Sequence, residues 1–309
     1  MASKEPEHLL VFPVPMKGEC WYSLLARYHA ISGNHSELYT FRQLFGSRTA
    51  LNAAVTLPSR VQLIDTWFPE GFGLTSDRII RELTAYQYLK LTSLFPDSAY
   101  QSLMQSREKR GRSMRWQMVN ALQGRHQGLR FCPDCVRSDT EEYHHSCWHL
   151  VHQIDGVRYC PIHGTRLIEG PQPVIGRLTH FYLAPDAETA EQMEKAGSGE
   201  SSDAFRQQYI ELAKTIDWLL VNGGRIETEE KLLQLYETEL GRDPSWTDVL
   251  HLLVSGDGRF LEDLYSRKEL LNLLRGIIDH GLRRQPPLLH ALLIMRFGGA
   301  QWLSKELWT

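Results

Sequence analysis

"FCPDCVRSDTEEYHHSCWHLVHQIDGVRYCPIHG", residues 131–164, holds four cysteines and five histidines in about a ninth of a 309-residue chain. Three readings compete for them: a metal that does chemistry, a metal that holds a small fold together, or ordinary core and surface residues. Cys132-Pro133-Asp134-Cys135 and Cys160-Pro161-Ile162-His163 are Cys-x2-Cys and Cys-x2-His pairs with 24 residues between them, each with proline after its first cysteine. Two residues between donors let a tight turn aim both side chains at one ion, and two such turns supply the four donors of a tetrahedral zinc site. The repeated spacing argues against the third reading. Four protein ligands leave no position open to water or substrate, which favours a structural ion over a catalytic one.

A zinc deaminase would need His-x-Glu and Pro-Cys-x-x-Cys. His35-Ser36-Glu37 offers the first, but Pro133 lies inside the pair, and Cys160 and His163 would go unused. Between the pairs, His144, His145, Cys147, His149 and His152 each remain alternatives to an assigned ligand, Cys147 first because thiolate is the better zinc donor. His149 and His152, beside Trp148 on an expected short helix, read as packed or hydrogen-bonded under the ribbon. A segment this short and polar cannot bury a core of its own, so the ion supplies what apolar area does not.

The rest of the composition bounds the class. At 42% hydrophobic the chain has room for two domains. Its net charge of −3 and pI near 6.5 exclude a general basic field, so any nucleic-acid contact must be local. No run is apolar enough for a membrane span and MASKEPEHLL has no signal-peptide core, which predicts an intracellular protein of the cytoplasm with no membrane partner. Five cysteines, four of them clustered and Cys20 apart, do not resemble a disulfide scaffold.

Upstream of the cluster, helical spacing of Cys20, Leu24, Leu25, Tyr28 and Ile31 predicts a helix stopped at Gly33-Asn34. A second is expected from the N-cap Ser36 to Gly46, a third over 59–68, and a longer one from Thr75 to Leu94. Short helices with polar turns are compatible with a helix-turn-helix module. Residues 107–130 carry Arg107, Lys109, Arg110, Arg112, Arg115, Arg125 and Arg130 against Glu108, a local charge of +6. With Trp116 among them this is either a backbone-binding strip with a stacking ring or a solvated helix face. Lys109, Arg110, Arg112, Arg115, Trp116 and Arg125 are the candidate nucleic-acid contacts, with Arg42 and Arg48 beside the second helix as weaker ones. Downstream, 170–186 predicts one or two short strands, 186–203 reads as an acidic Gly/Ser linker, and helices are expected over 204–221, 229–240, 246–254, 260–264, 270–278 and 288–297. Pro286-Pro287 suits the first turn of the last.

Taken in order, Phe12-Pro13-Val14-Pro15 with Glu19, "CWYSLLARYHAISGN", "LFPDSAY", "RFCPDCVRSD", "CWHLVHQIDGVRYCPIHGTRL" and "PPLLHALLIMRFGG" resemble the TniQ/TnsD family of transposon target-selection proteins. The resemblance runs from about residue 11 to 300 and rests on helical pattern alone over 186–285. It implies a non-catalytic adaptor with amino-terminal helix-turn-helix helices and a zinc ribbon, which marks double-stranded target DNA and recruits an AAA+ ATPase regulator of the transposase. One branch of the family binds a fixed attachment sequence. A shorter branch docks on an RNA-guided CRISPR effector, and a chain ending at Thr309 is expected there, or else is a truncated longer member. The zinc ligands carry over onto Cys132, Cys135, Cys160 and His163.

The expected architecture is therefore mainly α: a helix-turn-helix-like domain over 1–106, the basic strip and a small zinc ribbon with short β strands over 107–185, the linker over 186–203, and a helical domain over 204–309. One structural Zn2+ is the expected cofactor. A free-standing, sequence-specific zinc-containing DNA-binding protein is the competing reading.

Overall fold

The computed structural model describes residues 9, 11–46, 55–58, 60–68, 71–92, 128–173, 180–197, 204–241, 245–254 and 258–308. The chain divides into two compact units, and helices dominate both, with one two-stranded sheet among the described residues.

The first unit opens with α1 (Trp21–Ile31) and α2 (Glu37–Phe45). Helix α1 buries Trp21, Tyr22, Leu24, Leu25, Ala26 and Tyr28, more of its circumference than a surface helix covers. The buried Tyr22 hydroxyl is satisfied twice, donating to the His180 carbonyl at 3.0 Å and accepting from the Tyr182 N–H at 2.9 Å. Phe12 stacks on Tyr28 and meets Phe68 edge-on, so the Pro-rich entry segment closes over the core. Helix α2 has the ends the sequence predicts: Ser36 accepts from the Tyr39 N–H, and Gly46 caps the other end at φ 59°.

Two expected helices are corrected. Residues 59–68 yield a 3-10 helix, Val61–Thr66, entered through Arg60 at φ 58°. Its polar groups hold neighbouring elements: the Asp65 carboxylate accepts the Ser76 N–H at 2.7 Å, and Trp67 Nε1 donates to the Leu44 carbonyl at 3.0 Å. The single helix expected from Thr75 to Leu94 is two, α3 (Ser76–Glu82) and α4 (Tyr86–Leu89). Thr84 donates back to the Ile80 carbonyl at 2.5 Å, and the Ala85 N–H is taken by the Thr56 carbonyl at 2.9 Å. Both bonds compete with helical continuation.

Strand β1 (Gly128–Phe131) pairs antiparallel with β2 (Ile168–Pro173), with Arg130 opposite Glu169 and Phe131 opposite Ile168. The strand expected in 170–186 thus begins earlier, and its partner β1 was not expected. A Cβ on Gly128 would lie 2.0 Å from the Gly170 carbonyl oxygen, so the irregular register there requires glycine. Helix α5 (Pro133–Tyr143) follows β1 directly. Residues 187–197, read as the start of a linker, form helix α6 (Ala187–Gly197), which packs on α5; residues 198–203 lie outside the described residues.

The helices beyond residue 204 belong to the second unit: α7 (Arg206–Asn222), α8 (Glu229–Leu240), α9 (Trp246–Val254), α10 (Gly258–Leu264), α11 (Arg267–His280), α12 (Pro287–Phe297) and α13 (Gly299–Trp308). Six were expected within a few residues; α13 was not. Helix α12 is its centre, buried from Pro287 to Ile294 and packed against α7 and α13. Helix α7 answers with Tyr209, Leu212, Ala213, Ile216, Leu219 and Leu220 at core spacing.

Within α12, His290 is fully buried, its Nδ1 3.2 Å from the Tyr236 hydroxyl, and burial pushes the imidazole down to about 4 from its ordinary 6.5. The fold therefore refuses a proton that the unfolded chain accepts, so stability is present above pH 6.5 and falls as pH drops towards 4, by about 3 kcal/mol. Denaturant melts of wild type and His290→Gln across that range should show a flatter acid limb in the variant.

Candidate metal centre

The Cys132 pair is positioned by the strand-to-helix junction. Cys132 is the extended N-cap residue of α5 at φ −103°, Pro133 occupies the first turn, where its missing N–H costs nothing, and Cys135 follows in the same turn. Both thiols thus sit at the positive end of a helix, which favours thiolate. Asp134 between them accepts from Thr165 Oγ1 and pairs with Arg137, tying the turn to its surroundings.

The second pair lies in a tight turn. The Gly164 N–H donates to the Cys160 carbonyl at 2.9 Å, and Gly164 leaves the turn at φ 65°. The His163 N–H reaches Cys160 Sγ at 3.5 Å, an interaction that favours the thiolate. The three cysteines are buried and His163 is exposed, and the four ligand atoms all lie within 4.8 Å of one another. Cys160 Sγ and His163 Nδ1 are 3.7 Å apart, against about 3.6 Å for a tetrahedral edge with sulfur at 2.3 Å and nitrogen at about 2.05 Å from zinc. Three sulfurs and an imidazole on that geometry fit a zinc-class ion. The cluster can hold a metal and leaves no protein-free corner for chemistry.

Cys147 belongs elsewhere. It is grouped with Asp139 and His149, all three buried and their ligand atoms again within 4.8 Å of one another. Trp148 is not on a helix: it lies in an extended stretch, and the 3-10 turn begins only at Val151. His152 is buried with its ring 5.1 Å from that of His149. Cys20 is fully buried, its thiol pushed up to about 12 mainly by burial, and is inert.

The nucleic-acid candidates divide. Lys109, Arg110, Arg112, Arg115, Trp116, Arg125 and Arg48 lie outside the described residues. Arg42 is exposed on α2. Arg130, counted in the basic strip, is corrected: it is buried in β1, with its guanidinium donating to the Ile154 carbonyl at 2.9 Å. All four residues of β1 are buried, so this cation of the run lies inside, which a charge count does not reveal. No described helix is long and apolar enough to cross a membrane.

A mainly helical chain with two clusters of metal-ligand type among the described residues defines a class of scaffold able to hold metal ions. The family is definite: residues 10–167, just over half of the chain, match the family model described as TniQ, and the chain belongs to that family. It is also 27% identical over 163 residues to the transposon Tn7 transposition protein TnsD of Escherichia coli. That match covers 50% of this chain and 30% of TnsD, so the chain spans well under half the length of that relative.

Proposed function

We propose that the chain is a non-catalytic target-site selection adaptor for DNA transposition, linking a target-recognition complex or a DNA site to an AAA+ ATPase regulator that recruits the transposase. The observation that carries this reading is the family match, whose residues 10–167 take in Cys132, Cys135, Cys160 and His163, together with the likeness to a Tn7 transposition protein. In this reading the four ligands hold one structural Zn2+, α1 to α4 serve as the helix-turn-helix-like region, and the helical domain follows a boundary within 186–203. The cytoplasm is the proposed site of action, and an RNA-guided CRISPR effector is a candidate recognition partner.

Lys109, Arg110, Arg112, Arg115, Trp116 and Arg125 are the proposed contacts to double-stranded DNA, with Arg42 and Arg48 as further ones; their support is a charge of +6 over residues 107–130 in a chain of net charge −3. Arginines of this kind position a protein on phosphates without reading sequence. The same strip favours the second reading, a free-standing sequence-specific DNA-binding protein. Co-purification of the chain with its neighbouring ATPase, a short duplex and nucleotide separates the two. The adaptor reading expects a defined ternary complex and weak binding to duplex alone. Salt-sensitive, nanomolar binding to one duplex without the ATPase would support the second reading instead.

A further inference from the structure

We propose that Asp139, Cys147 and His149 form a second metal site, distinct from the Cys3His cluster and taking one divalent ion of the zinc class. The three residues offer one carboxylate, one thiolate and one imidazole, the donor types that zinc accepts together, and all three are at most 8% exposed.

The local structure aims them at one point. Asp139 projects from midway along α5. Cys147 and His149 are two apart in extended chain, so they share a face while Trp148 between them turns the other way, against Phe131 and with Nε1 donating to the Tyr182 carbonyl at 2.8 Å. That stretch is fixed by its backbone: the Leu150 N–H donates to the Gly18 carbonyl at 2.8 Å, the Trp148 carbonyl accepts from the Cys20 N–H at 3.0 Å, and the Trp148 N–H donates to Ser23 Oγ at 3.0 Å. Gly18, at φ 74°, lies directly under the imidazole, where a Cβ would come within 3.0 Å of His149 Nδ1. This leaves Nε2 facing Asp139. Donors held on a rigid support in this way are what a metal site requires.

The distances suit an ion. Cys147 Sγ is 3.6 Å from Asp139 Oδ2, against about 3.5 Å for the sulfur–oxygen edge of a zinc tetrahedron. His149 Nε2 and Asp139 Oδ2 are 2.9 Å apart, so coordination would open this edge by about 0.4 Å. The rival account is a buried imidazolium–carboxylate pair with a thiol packed beside it. It leaves the carboxylate with one short bond, since Cys147 offers its N–H at 3.4 Å and its thiol at 3.6 Å. Glu19 is not a fourth ligand: its carboxylate is occupied by the Met16 N–H, Ser23 and Arg27. Three protein ligands leave one exchangeable position on the ion.

Metal content of the full chain purified with zinc decides the matter. The proposal expects about two zinc equivalents per chain, falling to about one in Asp139→Asn and in Cys147→Ser, and about one in Cys132→Ser through loss of the other ion. Chelator-driven release from the wild type, which needs no variant to fold, should be biphasic, and cobalt substitution should give a band set for a one-sulfur site beside that of the three-sulfur site. A single equivalent in the wild type, released in one phase and unaltered by Asp139→Asn, overturns the second site while leaving the first intact. No zinc in the wild type overturns both.

Discussion

Cys160→Ser is expected to remove one zinc equivalent, and exhaustive chelation of the wild-type chain all of its bound zinc, each lowering the melting temperature by on the order of 10 °C or more. Structural zinc sites contribute folding energy outright, and the short turn at residues 160–163 supplies two of the four donors. Serine preserves size but offers a poor zinc donor, so three remaining ligands would lose affinity by orders of magnitude. Calorimetry with parallel metal analysis tests this. Unchanged zinc content and melting temperature in the variant would sink the assignment of Cys132, Cys135, Cys160 and His163.

Arg27→Ala should cost about 3–5 kcal/mol at neutral pH, because it strips a buried carboxylate of its cation. Glu19 is 0% exposed and accepts a charged bond from Arg27 at 2.7 Å. Burial pushes the Glu19 carboxyl up from its ordinary 4.5, and Arg27, the Met16 N–H and Ser23 pull it back. A carboxyl raised in the folded state contributes stability below its unfolded value that is lost as pH climbs through the folded one. Removing Arg27 raises the folded value further, so the penalty should be small near pH 4.5 and grow towards pH 7.5. Urea melts at the two ends of that range give the answer. An equal loss at both would mean that packing of the Arg27 stem, not charge, carries the effect.

How far the chain could be read depended on whether a feature was local. Helix α2 was legible because its caps, Ser36 and Gly46, are adjacent to what they cap. The zinc-type cluster was legible because each pair of donors lies within one turn. The break between α3 and α4 was not, since it depends on Thr56, whose carbonyl takes the Ala85 N–H from across the fold. Strand β1 was hidden because four residues carry no period and its partner is 41 positions away, where Glu169 meets the Gly128 N–H. By spacing alone, Cys147 reads only as a substitute donor for the first cluster. Its actual neighbours were signalled by the Cys-x-His alternation around Trp148, but Asp139, eight residues earlier on a helix, carried no spacing that marks a ligand.

The bond from the Trp148 N–H to Ser23 Oγ spans 125 positions. Closing a loop of that size costs about 4 kcal/mol of chain entropy before any contact repays it. Helix α1 and the stretch that lies along it must therefore each be nearly formed before they meet, which makes their joining a late event on the folding path. A nascent chain has synthesised α1 long before the stretch exists. For the interval it presents a helix whose Trp21, Tyr22, Leu24 and Leu25 lack the cover of that stretch, so the delay before the distant segment arrives sets how long that apolar surface stays open to aggregation.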